Sequence, residues 1–169
     1  EKIADKVLFQ KVKSALGLDR VRLSFSGAAA IRKDVQDFFL SLGLPLYESY
    51  GQSESTGLIT LSGAKAGTSR FGCVGKAMPG VQVRLAPDGE VLAQGPNLFA
   101  GYYKDQAATA QALAAGWLHT GDVGEFDADG FLRITDRKND LFKTSGGKYI
   151  APGPIEGALR SIPLVSQAI

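Results

Sequence analysis

The order of apolar patterns predicts an α/β protein: the end of a parallel strand-helix-strand layer, then a small β-rich subdomain, then the start of an α+β unit. Three observations carry this. A helical segment, IRKDVQDFFLSLG, lies between two extended runs, VRLSF and LPLYESY. Two alternating stretches, each broken by an Asp-Gly pair, flank a single short helical pattern. Beyond residue 136 a polar stretch, a Gly-Gly pair and two prolines precede a new helical face.

Each element follows from its spacing. Ala4, Val7, Leu8, Val12, Ala15 and Leu16 recur at helical intervals and stop at Gly17, giving a helix over 4–16. VRLSF (21–25) alternates and breaks into SGAAA, after which Ile31, Val35, Phe38, Phe39 and Leu42 share one helical face ahead of Gly43. The length of this unit suits a parallel pair with a right-handed crossover. Functional loops in such sheets sit at the C-terminal ends of strands, so SGAAA and YGQSE are expected to face the same crevice. VQVRLAPDGEVLAQG reads as a hairpin around Pro87-Asp88-Gly89, DQAATAQALAAG as a helix capped by Asp105 and stopped by Gly116, and GDVGEFDADGFLRIT as a second hairpin around Asp129-Gly130. Pro154 suits a first helical turn, with Ile155, Leu159 and Ile162 on one face. The expected division is therefore 1–75, 76–135 and 136–169.

Composition excludes several classes of function. Hydrophobic residues make up 44% of the 169, enough for a core, and 19 basic against 17 acidic residues leave a net charge of +2, too balanced for a nucleic-acid footprint. The single Cys73 excludes an internal disulfide and fits a reducing, cytoplasmic setting. No apolar run approaches the roughly 20 residues that span a bilayer. The chain opens on Glu1 inside a helical pattern and stops in the apolar LVSQAI, so a longer polypeptide is expected.

The candidate chemistry sits at the loops. In YGQSE, backbone N–H groups and the Ser53 hydroxyl can hold a phosphate oxygen, Glu54 can hold a magnesium ion that shields it, and Tyr50 offers a flat face to a purine. The same five residues also suit a plain turn with Ser53 as a cap. The small Gly27 and Ala28 permit close approach of a base or an acyl chain, or equally close helix packing. In WLHTGD, placed at a loop that opens a strand, Asp122 can accept from both hydroxyls of a ribose, or cap a turn. His119 is the lone histidine and has no ligand cluster or nucleophile elbow beside it, which argues against zinc and against a serine triad. In DRKND, Arg137 can reach a ribose or phosphate, or belong to a solvated charge cluster. The glycine pair of TSGGKYIAP can line a channel.

Taken in order, YGQSE, GCVGKAMPGVQVRL, GEVLAQGPNLFAGYYKDQAAT, GWLHTGDVGEFDADGFLRITDRKND and FKTSGGKYIAPGPIE resemble the adenylate-forming superfamily of acyl-CoA synthetases, luciferases and peptide-synthetase adenylation domains. SGGKYIAPGPIE is most similar to long-chain fatty acyl-CoA synthetases. The resemblance implies that 1–75 ends the large nucleotide-binding domain, that 76–135 is its small β-rich subdomain, and that 136–169 holds the hinge and the start of a C-terminal lid. It implies a nucleotide held by Gly27, Ala28, Tyr50, Gly51, Gln52, Ser53, Asp122 and Arg137. Within that set Tyr50 would stack on adenine, Ser53 (threonine in many members) would touch the α-phosphate, Glu54 would bind Mg2+, Asp122 would hold the ribose hydroxyls, and Arg137 would assist there. Ser53, Glu54 and Arg137 would serve the chemistry. Asp136 would be the lid's pivot, with Gly146, Gly147 and Lys148 on the loop facing CoA. The implied reaction uses ATP, a medium- or long-chain fatty acid and CoA, through an acyl-adenylate. Peripheral membrane association would suit a protein that handles fatty acids, but no basic amphipathic helix in the sequence requires it. Transfer to a carrier protein, or a non-catalytic nucleotide- or acyl-binding module, are the alternatives. The family's phosphate loop and C-terminal lysine are expected before residue 1 and after residue 169, so the segment alone is expected to be inactive.

Overall fold

The computed structural model describes residues 8–65, 67–140, 142–143, 149–150, 152–160, 162 and 164–165. Helix α1 (Gln10–Ala15) closes with Leu16 and Gly17 donating to Val12 and Ser14. The first half of the expected 4–16 helix lies outside the described residues. Strand β1 (Ser24–Ser26) pairs in parallel with β2 (Leu46–Tyr50), Phe25 opposite Tyr47, and helix α2 (Lys33–Ser41) makes the crossover. The expected strand-helix-strand unit is present. Leu42 and Leu44 are buried where α2 turns back, and Gln36 Nε2 bonds Glu48 Oε1 at 2.8 Å, tying the helix to β2.

Two short antiparallel strands extend this sheet. β3 (Thr60–Leu61) pairs with β2, and β4 (Lys76–Ala77) with β3, for an order β1-β2-β3-β4. Neither is apparent in the sequence, because two residues are too few to show alternation. Side-chain bonds hold them: Thr60 Oγ1 donates to the Val74 carbonyl at 2.7 Å and Ser62 Oγ to that of Cys73 at 3.3 Å. Gly75, at φ 93°, lets two backbones meet; a Cβ there would lie 2.1 Å from the Leu61 carbonyl carbon.

The second sheet is antiparallel throughout, in the order β5 (Gln82–Leu85), β6 (Glu90–Gln94), β7 (Leu118–Phe126), β8 (Leu132–Arg137). Both expected hairpins form. Helix α3 (Gln106–Ala112) begins where expected, the Asp105 carboxylate accepting from Ala108 N at 2.9 Å. It ends earlier than Gly116, because Leu113 leaves helical geometry and Ala115 takes a left-handed φ of 51° in a separate short turn.

The two sheets are stitched at one seam. Val74 N donates to Leu132 O at 2.8 Å, and Leu132 N to Gly75 O at 2.9 Å. Ile59, Val81, Ala93 and Leu118 form a buried cluster beside it, with Tyr50, Met78, Phe99 and Leu113 packed around. Burial of each large aliphatic side chain contributes about 1.5–3 kcal/mol, so this cluster fixes Tyr50 relative to β7. Beyond β8, a short turn (Lys138–Asp140), the pair β9 (Phe142–Lys143) and β10 (Tyr149–Ile150), and helix α4 (Pro152–Arg160) follow. No described helix is long and apolar enough to cross a membrane.

Candidate active site

The corner after β2 is a tight turn. Gly51 lies so close to the returning chain that a Cβ would sit 2.5 Å from the Gly57 carbonyl oxygen. Ser55 Oγ accepts from Gln52 N at 3.0 Å and donates to Gln52 O at 2.9 Å, and Ser53–Ser55 form one 3-10 turn. The first N–H groups of such a turn have no acceptor within it. Ser53 is exposed at its start. A second segment braces the corner: Thr56 Oγ1 donates to Asn97 O at 2.7 Å, Asn97 Nδ2 donates to Leu58 O at 2.6 Å, and Phe99 N to Glu54 O at 2.8 Å.

Two carboxylates lie at this corner, each accepting from a tyrosine hydroxyl. Tyr102 donates its hydroxyl to Glu54 Oε1 at 2.6 Å, and that bond raises the Tyr102 pKa. Tyr50 donates to Asp122 Oδ2 at 2.7 Å. Asp122 is 6% exposed, on the inward face of β7 with Leu118, Thr120 and Gly124. A buried carboxylate needs donors. Its other oxygen meets Arg137 Nε at 3.3 Å, and Asp122 N bonds Thr120 Oγ1 at 3.2 Å. Gln52 Nε2 reaches Thr120 O at 3.1 Å, so the corner and β7 are joined directly. Burial pushes the Tyr50 hydroxyl pKa up, and the Asp122 carboxylate beside it adds to that, so Tyr50 remains a donor.

Asp122 therefore sits inside β7, not at a loop that opens it. The strand is irregular there, with register shifts between Glu90 and Leu92 on one side and Val123 and Gly124 on the other. Bulges re-aim side chains without ending a strand, which is how a loop-like glycine and carboxylate come to lie within one nine-residue strand (Leu118–Phe126). Of the other candidates, Gly27 and Ala28 are exposed directly after β1, Gly27 beside Ser49 and Ala28 at φ 67°. Asp136 lies opposite Val123, and its Oδ1 accepts from Arg137 N at 2.7 Å. Gly146, Gly147 and Lys148 lie outside the described residues.

An open cleft of about 540 Å³ borders this arrangement, lined by Gln52, Glu54, Tyr102, Gly121, Arg137 and Lys138 among others. Its walls offer oxygen acceptors and two cations. Among the described residues no group of three or more His, Cys, Asp or Glu could hold a metal. Glu54 is the carboxylate of this corner that could share a hard cation such as Mg2+, which keeps few protein ligands, with oxygens of a nucleotide.

Sequence reasoning missed the second cluster on this cleft. Glu90, 4% exposed, receives Lys138 Nζ at 2.9 Å, Gly121 N at 3.0 Å and a contact from His119 Nδ1 at 3.1 Å, while Lys138 also meets Asp88 at 2.7 Å. The signal was Glu90 directly before the apolar run Val91–Ala93. Burial alone would raise the Glu90 pKa, but the Lys138, His119 and Gly121 donors outweigh it and the pKa is lowered. A lowered folded pKa means that this stability is present above the unfolded carboxylate range and lost as pH falls through the folded value. Glu90→Gln is expected to cost about 1–3 kcal/mol near neutral pH and to flatten the acid limb of thermal stability. An unchanged acid limb in pH-dependent melting would contradict this.

The two sheets, joined where the corner after β2 meets β7, form a mixed α/β unit with a polar cleft beside Glu54 and Asp122, and the comparisons place that unit in a family. Residues 2–103 match the family described as AMP-binding enzyme, and the chain belongs to that family. Long-chain-fatty-acid-CoA ligase FadD15 of Mycobacterium bovis is 41% identical over 99% of this chain, and long-chain-fatty-acid-CoA ligase ACSBG2 of Xenopus laevis 43% over the same share. The chain spans 27% and 23% of the length of these two relatives. Among solved structures, o-succinylbenzoate CoA synthetase (MenE) of Bacillus subtilis with its acyl-adenylate intermediate superposes with a TM-score of 0.81 at 26% identity, over 94% of this chain and 36% of that one. The same enzyme with ATP and magnesium gives 0.77 at 27% identity and equal coverage.

Proposed function

We propose that the polypeptide carrying this segment is an ATP-dependent acid-CoA ligase, which activates a medium- or long-chain fatty acid as its acyl-adenylate and passes the acyl group to CoA. The observation that carries the reading is Asp122, a buried carboxylate clamped between the Tyr50 hydroxyl and the Arg137 guanidinium beside a polar cleft. Membership in the family and likeness to two fatty-acid-CoA ligases support the substrate class.

In this reading the two faces of the site divide the nucleotide. Asp122 accepts the ribose hydroxyls, the Tyr50 ring lies against adenine, and Gly27 and Ala28 border the adenine and acyl space. Gly51 and Gln52 shape the corner, and the exposed Ser53 hydroxyl meets the α-phosphate. Glu54, oriented by Tyr102, would hold Mg2+, which when bound supplies positive charge to the phosphates. Arg137, at the cleft wall, adds a second cation near the ribose. The fatty-acid carboxylate oxygen attacks the α-phosphorus and pyrophosphate departs; the CoA thiolate then attacks the acyl carbonyl and AMP departs. Little covalent work falls to the protein, and alignment with charge stabilisation lowers the barrier.

Residues 1–75 are proposed as the end of the large domain, 76–135 as its β-rich subdomain, and 136–169 as hinge and lid, with Asp136 the pivot and Gly146, Gly147 and Lys148 on the CoA side. A closing lid keeps water from the mixed anhydride. The test supplies the full-length polypeptide with ATP, Mg2+, CoA and a panel of fatty and aromatic acids, and detects thioesters by mass. Thioesters of medium- or long-chain acids are expected. Acyl-adenylate that accumulates without thioester would move the acceptor to a carrier protein, and no turnover of any acid by folded, ATP-binding protein would overturn the ligase.

A further inference from the structure

Asp122 has two donors of very different stiffness. Arg137 reaches it at 3.3 Å from a side chain that is 71% exposed, on a stem whose rotamers cost entropy to fix. Tyr50 reaches it at 2.7 Å from a ring packed against the buried Ile59 and Leu118 cluster, and a tyrosine has only two side-chain torsions to hold. Thr120 fixes the backbone on the other side, its Oγ1 accepting from Asp122 N while it donates to Val91 O at 2.8 Å. The plane of the carboxylate is thus set from the β2 side, across 72 residues of sequence.

A carboxylate matches a ribose diol only when both oxygens face the pair of hydroxyls together. We propose that Tyr50 is a positioning residue: its hydroxyl bond to Asp122 fixes the orientation in which that carboxylate accepts the ribose hydroxyls, and so sets the preference for ribonucleotides. This role is separate from any contact of the ring with adenine, and it rests on the nucleotide reading given above.

The test compares ATP with 2′,3′-dideoxy-ATP, which lacks both hydroxyls, by equilibrium binding to the full-length polypeptide and its Tyr50→Phe variant. Phe retains the ring and removes only the donor. The ratio of affinities, ATP over the dideoxy analogue, is expected to fall roughly 5- to 10-fold in Tyr50→Phe, the loss coming from weaker ATP binding and not from tighter analogue binding. A third protein with 4-aminophenylalanine at position 50, which restores an N–H donor near the hydroxyl's place, should recover much of the ratio and covers the case of a poorly folded Phe variant. A Tyr50→Phe ratio equal to wild type, or a 4-aminophenylalanine ratio no better than that of Phe, would overturn the positioning role while leaving the nucleotide site intact. Wild-type protein that binds both nucleotides equally would overturn the ribose role of Asp122, and wild-type protein that binds neither would overturn the nucleotide reading itself; either outcome overturns this inference.

Discussion

Asp122→Ala in the full-length polypeptide is expected to weaken ATP binding by about 1.5–3 kcal/mol, roughly 10- to 150-fold in Kd, the range for hydrogen bonds to a charged group. The structure adds a second consequence. Removing the carboxylate strips the partner from the half-buried Tyr50 hydroxyl and from one edge of Arg137, so the melting temperature should fall as well. Asp122→Asn separates the two effects: its amide oxygen still accepts from Tyr50, while the charge is gone. Titration with ATP alongside thermal melts of both variants distinguishes a ligand site from a structural pair. Unchanged ATP affinity in a protein with unchanged folding would leave Asp122 a structural residue.

Gly75→Ala is expected to be the most damaging single substitution in the seam between the sheets, costing about 3 kcal/mol or more of stability. Two causes act together. The backbone is at φ 93°, where a Cβ is strained, and that Cβ would fall 2.1–2.3 Å from the Leu61 carbonyl group and Ser62 nitrogen, backbone atoms that no rotamer can move aside. Relief requires separating β3 from the loop that bonds Leu132, which loosens Ile59 and then the corner that follows Tyr50. Denaturant unfolding would show a lowered midpoint, and nucleotide affinity should fall with it. An unfolding free energy within about 0.5 kcal/mol of wild type would contradict the seam's role.

How far the sequence reveals this molecule depends on the length of each signal. The β1-α2-β2 unit and both hairpins follow from periodicity and Asp-Gly turns, because each spans enough residues for a face to repeat. β3 and β4, two residues each, are fixed by bonds to Val74 and Cys73, and nothing local announces them. The same limit applies to the candidate site. Tyr50, Glu54, Asp122 and Arg137 could be singled out as residue types suited to a nucleotide, but which of them touch could not. The Tyr50 to Asp122 bond crosses 72 residues and the Tyr102 to Glu54 bond 48, separations at which sequence pattern carries no register. Asp122 was expected at a loop because Gly121 precedes it; the extra residues of β7 opposite Glu90–Leu92 supply that freedom within a strand. Glu90 shows the reverse case. An acid in a buried strand must be paired, and its partners His119 and Lys138 come from β7 and from the turn after β8, respectively.

The reaction proposed for the full-length polypeptide is activation of a carboxylic acid at the α-phosphate of ATP. ATP-pyrophosphate exchange by the full-length polypeptide, with a long-chain fatty acid and Mg2+ but no CoA, tests it most directly. The account predicts exchange that depends on the fatty acid and falls sharply in Asp122→Ala; folded protein that binds ATP yet exchanges no pyrophosphate with any acid would contradict it.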